Sequence, residues 1–119
     1  VWKVFKTGSV FEDRFFDEDI HACKKAAELI ERFNRRNCRL DCAVPMVHLN
    51  KPEVWVQQVS KKQGLVEPFI HGRYEKFNSN TGWADASHDL MQALSHYSWH
   101  ASEGEYLLCD LQGSFRDGC

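Results

Sequence analysis

Tyr106-Leu107-Leu108-Cys109-Asp110-Leu111-Gln112-Gly113 is the stretch on which the fold of this chain turns. Its short apolar run predicts a buried strand, set here at Glu105–Asp110. The run stops at an acid, followed closely by an amide and a glycine. Asp110 and Gln112 at a strand end can present two oxygen ligands on one side. That suits magnesium, which is often held by one or two protein oxygens plus substrate phosphates. A strand that merely enters a glycine turn has the same pattern, so the stretch alone does not carry a function.

The rest of the chain sets the frame. Its 119 residues are enough for one domain with a real core. It is 43% apolar and 27% charged, as a globular protein is and a disordered one is not. The formal charge is −2, and the densest basic cluster, Arg32, Arg35, Arg36 and Arg39, is interrupted and follows an acidic stretch. Nothing here marks a nucleic-acid surface. No apolar stretch approaches the ~20 residues of a membrane helix. Val1-Trp2-Lys3-Val4-Phe5-Lys6 is no secretory signal. The five cysteines are odd in number and make no disulfide framework, which favours a reduced, cytoplasmic protein. Cys38 and Cys42 lie four apart without a second pair, whereas a structural zinc site usually needs four ligands.

Upstream, the pattern is mixed. Val1–Phe5 reads as a strand. Asp17–Arg36 is the clearest helix, with Ala22, Cys23, Ala26, Ala27, Leu29, Ile30 and Phe33 at helical spacing. Asp17, Glu18 and Asp19 in its first turn and Arg32, Arg35 and Arg36 near its end complement the helix dipole, and Asn37 is a plausible stop. Val54–Val59 and Leu65–Ile70 read as strands around a polar turn, Ser60 to Gly64. Arg73–Phe77 is a further strand and Asn78 to Gly82 a loop. A second helix is set at Ala86–Trp99, with Leu90, Ala93, Leu94 and Tyr97 on one face and Asp85 or Ser87 as cap.

Five segments now stand in order: Val1-Trp2-Lys3, Glu67-Pro68-Phe69-Ile70-His71-Gly72, Lys76-Phe77-Asn78-Ser79-Asn80-Thr81-Gly82, Gln92-Ala93-Leu94-Ser95-His96-Tyr97-Ser98-Trp99 and Asp110-Leu111-Gln112-Gly113. In order and spacing they resemble the alpha-kinases, the atypical protein kinases that include the myosin heavy-chain kinases and the elongation-factor-2 kinase. The motifs there run V-x-K, E-x-[YF]-I-x-G, K-[YF]-N-x-N-x-G, Q-A-F-S-H-[FW]-[ST] and D-[LI]-Q-G. The resemblance implies an α+β, two-lobed fold, present here in part. About residues 1–70 would form most of the N-terminal lobe and the hinge, and about 71–119 the start of the C-terminal lobe. An alpha-kinase has a nucleotide-covering loop before its Lys. After D-L-Q-G it continues to a second acid, a glycine-rich segment and a His/Cys cluster. The chain therefore reads as an internal piece of a kinase domain, with a degenerate gene product as the other explanation.

By that resemblance the parent transfers the γ-phosphate of ATP to a serine or threonine hydroxyl of a protein substrate, using Mg²⁺. Lys3 would contact the α- and β-phosphates; a solvated Lys on an edge strand is the plainer reading of the residue alone. Glu67 would contact adenine at the hinge, with Pro68 fixing a bend. Asp110 would be the central carboxylate, positioning the acceptor hydroxyl or holding metal, and Gln112 a Mg²⁺ ligand. His96 would be the first ligand of a structural Zn²⁺ whose other ligands lie outside this chain; His100 shares its helix face at i,i+4. Lys76, Asn78, Asn80 and Gly82 match a loop near the nucleotide cleft, and Gly82 suits a backbone angle other residues resist. Two departures stand out. Cys23-Lys24-Lys25-Ala26 replaces a context that carries an acid able to pair with the ATP-contacting Lys, and Glu28, one turn on, is the available substitute. Leu94 replaces Phe, a swap that cores tolerate. The alternative function is a catalytically inactive pseudokinase, or a nucleotide-binding interaction module.

Overall fold

The computed structural model describes residues 2–3, 14–41 and 43–115, with Lys3 as backbone alone. Its elements are β1 (Trp2–Lys3), α1 (Asp17–Leu40), β2 (Glu53–Val56), β3 (Gln63–Val66), β4 (Tyr74–Lys76), α2 (Asp89–Ala101) and β5 (Gln112–Ser114). Of the strand expected at Val1–Phe5, only Trp2 and Lys3 fall among the described residues, and Cys42 lies outside them.

Helix α1 opens on three acids, as its dipole favours, and runs past Asn37 to Leu40. Asn37 stops a helix only by leaving the helical conformation. Here it keeps it, and its carbonyl accepts the Asp41 N–H at 2.8 Å. Asp41 ends the helix instead: its backbone is extended, and its carboxylate accepts the Ala43 N–H at 2.9 Å. The apolar stripe is deep only at Leu29, Ile30 and Phe33, while Ala22 is exposed.

Strands β1, β3 and β2 form an antiparallel sheet in that order. The β2–β3 turn closes earlier than the polar run suggested. Lys61 takes a φ of +58°, and Gln57 N–H bonds Lys62 O at 3.0 Å. Val59 is thereby left in the turn, 99% exposed, and Gly64 sits inside β3. A side chain at Gly64 would run into the Trp2 indole, so the bare backbone is what lets Trp2 lie over the sheet.

The second sheet pairs β4 with β5, Lys76 opposite Gln112. The last strand is therefore Gln112–Ser114, not Glu105–Asp110. The reason lies in α2. The Tyr106 N–H bonds Ser102 Oγ, the Leu108 N–H bonds Ser98 Oγ, and the Leu111 N–H bonds Asn78 Oδ1. Side chains, not a neighbouring strand, satisfy this stretch of backbone, so it runs extended without joining a sheet.

Helix α2 starts three residues later than expected. Asp85 does not cap it: its carboxylate accepts the Ser87 N–H and Oγ–H, closing a turn, and His88 is the N-cap residue. The helix has two working faces. Leu94, fully buried, packs with Ile30 and Phe33 of α1, flanked by Leu90, Met91 and Tyr97. Each such core side chain contributes about 1.5–3 kcal/mol on burial. Ala93, expected on this face, is exposed. The other face is polar and turns toward residues 77–85 and 106–111. Two clasps join the connection between the sheets to its surroundings: Asn50 Nδ2 bonds Pro68 O at 2.8 Å, and Ser114 Oγ bonds His71 O at 2.9 Å.

Candidate active site

Three of the five motif segments meet around Asn78. This residue is 5% exposed, so an unpaired amide here would be costly. It is fully engaged. Its Oδ1 accepts the Leu111 N–H at 3.0 Å, and its Nδ2 donates to Gln92 Oε1 at 3.0 Å and Ser95 Oγ at 2.9 Å. Gln92 is oriented in turn, because its Nε2 donates to Phe77 O at 2.7 Å and Asp85 O at 3.0 Å. Phe77 N–H closes the set on Leu111 O at 2.8 Å. The loop that follows is stapled by Ser79, whose Oγ accepts the Trp83 N–H at 3.1 Å, and Gly82 supplies its φ of +96°.

Asp110 sits at the edge of this network. It takes a φ of +54°, a left-handed angle that a non-glycine residue adopts at a cost. Its carboxylate faces Lys76, Oδ1 to Nζ at 3.4 Å, with the two side chains 46% and 49% exposed. An ion pair this wet is worth about 0–1 kcal/mol, so it marks the direction of the carboxylate without committing it. Gln112 opens β5 opposite Lys76, and its Nε2 donates to Asp110 O at 3.3 Å. Asp110 and Gln112 thus stand close together at an exposed edge. One carboxylate and one amide oxygen are the hard donors that Mg²⁺ accepts while keeping waters and phosphate oxygens, so the residues fit that ion.

The other expected residues lie elsewhere. Lys3 is opposite Leu65 in the first sheet, and its side chain falls outside the described part. Glu67 directly follows β3 and is half-buried. Glu67 thus stands one residue past the end of β3, two residues from Leu65, the partner of Lys3. On that sheet Gln63 is 8% exposed, with Oε1 unpartnered among the described residues. Glu28 forms an exposed pair with Lys25, Oε2 to Nζ at 3.6 Å. His96 is exposed on α2, its ring centroid 4.5 Å from that of His100. No group of three or more His, Cys, Asp or Glu able to hold a metal occurs among the described residues. Two imidazoles do not complete a tetrahedral zinc site, so the described residues do not fit structural Zn²⁺, and nothing below depends on it.

Reading the sequence missed the network that organises the site. Its signal was present: Gln92, Ser95, Ser98 and Ser102 recur at three- and four-residue spacing, a polar stripe on one side of a helix whose other side is apolar.

Comparison with known proteins shows the family and the fold. The Alpha-kinase family model matches residues 1–118, and the chain belongs to that family. It is 32% identical to alpha-protein kinase 1 of Dictyostelium discoideum over 119 residues, covering 95% of this chain and 8% of that protein. It is 27% identical to eukaryotic elongation factor 2 kinase of Caenorhabditis elegans over 107 residues, 84% of this chain and 13% of that protein. The chain therefore spans a small part of the relatives it matches. Its fold matches the crystal structure of the apoenzyme alpha-kinase domain of myosin-II heavy chain kinase A, with a TM-score of 0.76 at 19% identity, over 96% of this chain and 45% of that one. The fold is accordingly the mixed α+β fold of an alpha-kinase domain, present in part. Among the described residues no helix is long and apolar enough to cross a membrane.

Proposed function

We propose that the full-length protein is an ATP-dependent serine/threonine kinase of the alpha type, acting on a cytoplasmic protein substrate. The observation that carries this reading is the placement of Asp110. A buried network holds the peptide that follows it, while the carboxylate itself stays half-exposed beside Lys76. Fixed in backbone, open in side chain and only loosely paired, this carboxylate is available to a ligand. Phosphoryl transfer asks a protein mainly for positioning and charge stabilisation.

In this reading Lys3 sets a fixed cation at the α- and β-phosphates, and Glu67 meets adenine where the chain leaves β3. Asp110 and Gln112 would hold Mg²⁺, or Asp110 would orient the acceptor hydroxyl. The ion would supply charge neutralisation to the phosphates. The change from the first sheet to the second, between Val66 and Tyr74, supports a lobe boundary near residue 70.

One observation favours a second reading, a nucleotide-binding module without turnover. Cys23-Lys24-Lys25-Ala26 carries no acid to pair with Lys3, which leaves Glu28, exposed on α1, as the substitute. Crystallising the full-length protein with a non-hydrolysable ATP analogue and Mg²⁺ tests the site as a whole. The kinase reading expects Lys3 Nζ at the α/β-phosphates, Glu67 at the adenine edge and Asp110 within reach of the metal. An analogue bound with Asp110 turned away from its phosphates would leave the second reading standing instead.

A further inference from the structure

We propose that Asn78 is the positioning residue for Asp110, acting through the Leu111 peptide. This rests on the reading of Asp110 as the reaction-centre carboxylate. The left-handed backbone of Asp110 sets where its side chain points, and outside glycine such an angle persists where the surroundings hold it. Return to an ordinary negative φ would swing the carboxylate away from Lys76 and from the Gln112 side of the edge.

Three candidates could resist that swing. The Lys76 pair cannot, being half-exposed on both sides. The bond from Gln112 Nε2 to Asp110 O is long, at 3.3 Å, and exposed. Leu111, by contrast, is held on both sides: its N–H, part of the Asp110–Leu111 peptide, by Asn78 Oδ1 at 3.0 Å, and its carbonyl, part of the next peptide, by Phe77 N–H at 2.8 Å. The amide of Asn78 has one orientation available, because Gln92 Oε1 and Ser95 Oγ both receive its Nδ2. Gln92 is itself locked by the carbonyls of Phe77 and Asp85. Helix α2 therefore dictates, through one buried amide, the plane of the peptide next to Asp110. A displacement of about 1 Å at a reacting group costs on the order of 10²-fold in rate, so loss of this grip reads out in turnover.

The test uses the full-length protein and three variants. Asn78→Ala removes the grip. Asn34→Ala is the control: Asn34 is likewise an amide that holds backbone, in its case both sides of Val47, Nδ2 to Val47 O at 2.8 Å and Val47 N–H to Oδ1 at 2.9 Å, on a different loop. Asp110→Ala reports on the underlying reading. The expected result is a roughly 10- to 100-fold loss of kcat in Asn78→Ala with the ATP KM within about threefold, and kcat within about twofold of the parent in Asn34→Ala. Amide hydrogen exchange gives a second readout, independent of activity. Leu111 should be as protected in the unaltered protein as the β4–β5 ladder, and should lose that protection in Asn78→Ala.

Inactive Asp110→Ala beside a fully active Asn78→Ala overturns the positioning role alone, as does an equal loss of kcat in Asn34→Ala. Parent turnover in Asp110→Ala overturns the underlying reading and the proposal with it. If Asn78→Ala does not fold, exchange in the unaltered protein decides: a Leu111 amide as fast as that of exposed Asn80 refutes the grip.

Discussion

Asp110 combines a φ of +54° with a half-exposed carboxylate, and its neighbour Leu111 bonds Asn78 through its N–H and Phe77 through its carbonyl. The residue types of this candidate site were legible in the sequence, an acid and an amide before a glycine. The backbone angle was not, because Asp adopts it at a minority of positions and the bonds that hold it here come from Asn78 and Phe77, far along the chain. This predicts a separation of stability from activity. Asn tolerates the left-handed region about as well as Asp, so Asp110→Asn should melt within about 0.5 kcal/mol of the parent while losing turnover. A β-branched residue does not, so Asp110→Val should lose about 1–3 kcal/mol. Equal melting temperatures for the Asn and Val variants would show that the angle carries no strain. Asp85 offers a smaller effect. The Ser87 side-chain and backbone hydrogen bonds hold its carboxyl below the ordinary carboxylate range, with His88 helping. A carboxyl whose folded pKa is depressed stabilises the fold above its unfolded value, so the turn at Asp85 should loosen only as pH falls below about 4. A carboxyl resonance of Asp85 that titrates above an unfolded reference peptide would reverse that sign.

At the level of elements, both helices were legible from their periodicity, and their ends were not. Asn37 and Ala86 were misplaced boundaries because stop and cap residues act through conformation and bonding that neighbours decide. The strand expected at Glu105–Asp110 failed for a related reason: an apolar run says that a segment is buried, not what satisfies its backbone. Here the serines of α2 do so. Gly64 was read as part of a turn, yet it lies in β3 beneath Trp2. A methyl group at that position must displace the indole and with it the register of β1, the strand that carries Lys3. Gly64→Ala should therefore lower stability by about 1–3 kcal/mol, the usual cost of overpacking, and raise the ATP KM of the full-length protein. A variant with unchanged melting temperature and KM would mean that β1 does not depend on this contact.

Across the whole molecule, family membership was legible because five short motifs kept their order; no single one of them suffices. How the expected site residues divide between the sheets was less legible: Lys3 lies on the first sheet with Glu67 just past the end of β3, and Asp110 and Gln112 lie on or beside the second. The chain covers 45% of the alpha-kinase domain it matches in fold, and large apolar side chains lie open, among them Leu40 at 73%, Phe69 at 67% and Met46 at 61% exposure. Open apolar area beyond a few hundred Å² marks a partner surface or an aggregation risk. Residues 1–119 expressed alone should self-associate in light scattering and transfer no phosphate; a monodisperse, active preparation of them would show that the remainder of the domain is dispensable. The central claim, that Asp110 is the carboxylate of a phosphoryl-transfer site, is tested most directly by γ-phosphate transfer from ATP to a protein acceptor by the full-length protein and its Asp110→Ala variant. Removing one well-placed stabilising group typically costs ~10²–10³ in rate, and a loss of at least that size is the predicted result. Transfer by Asp110→Ala at the parent rate would contradict it.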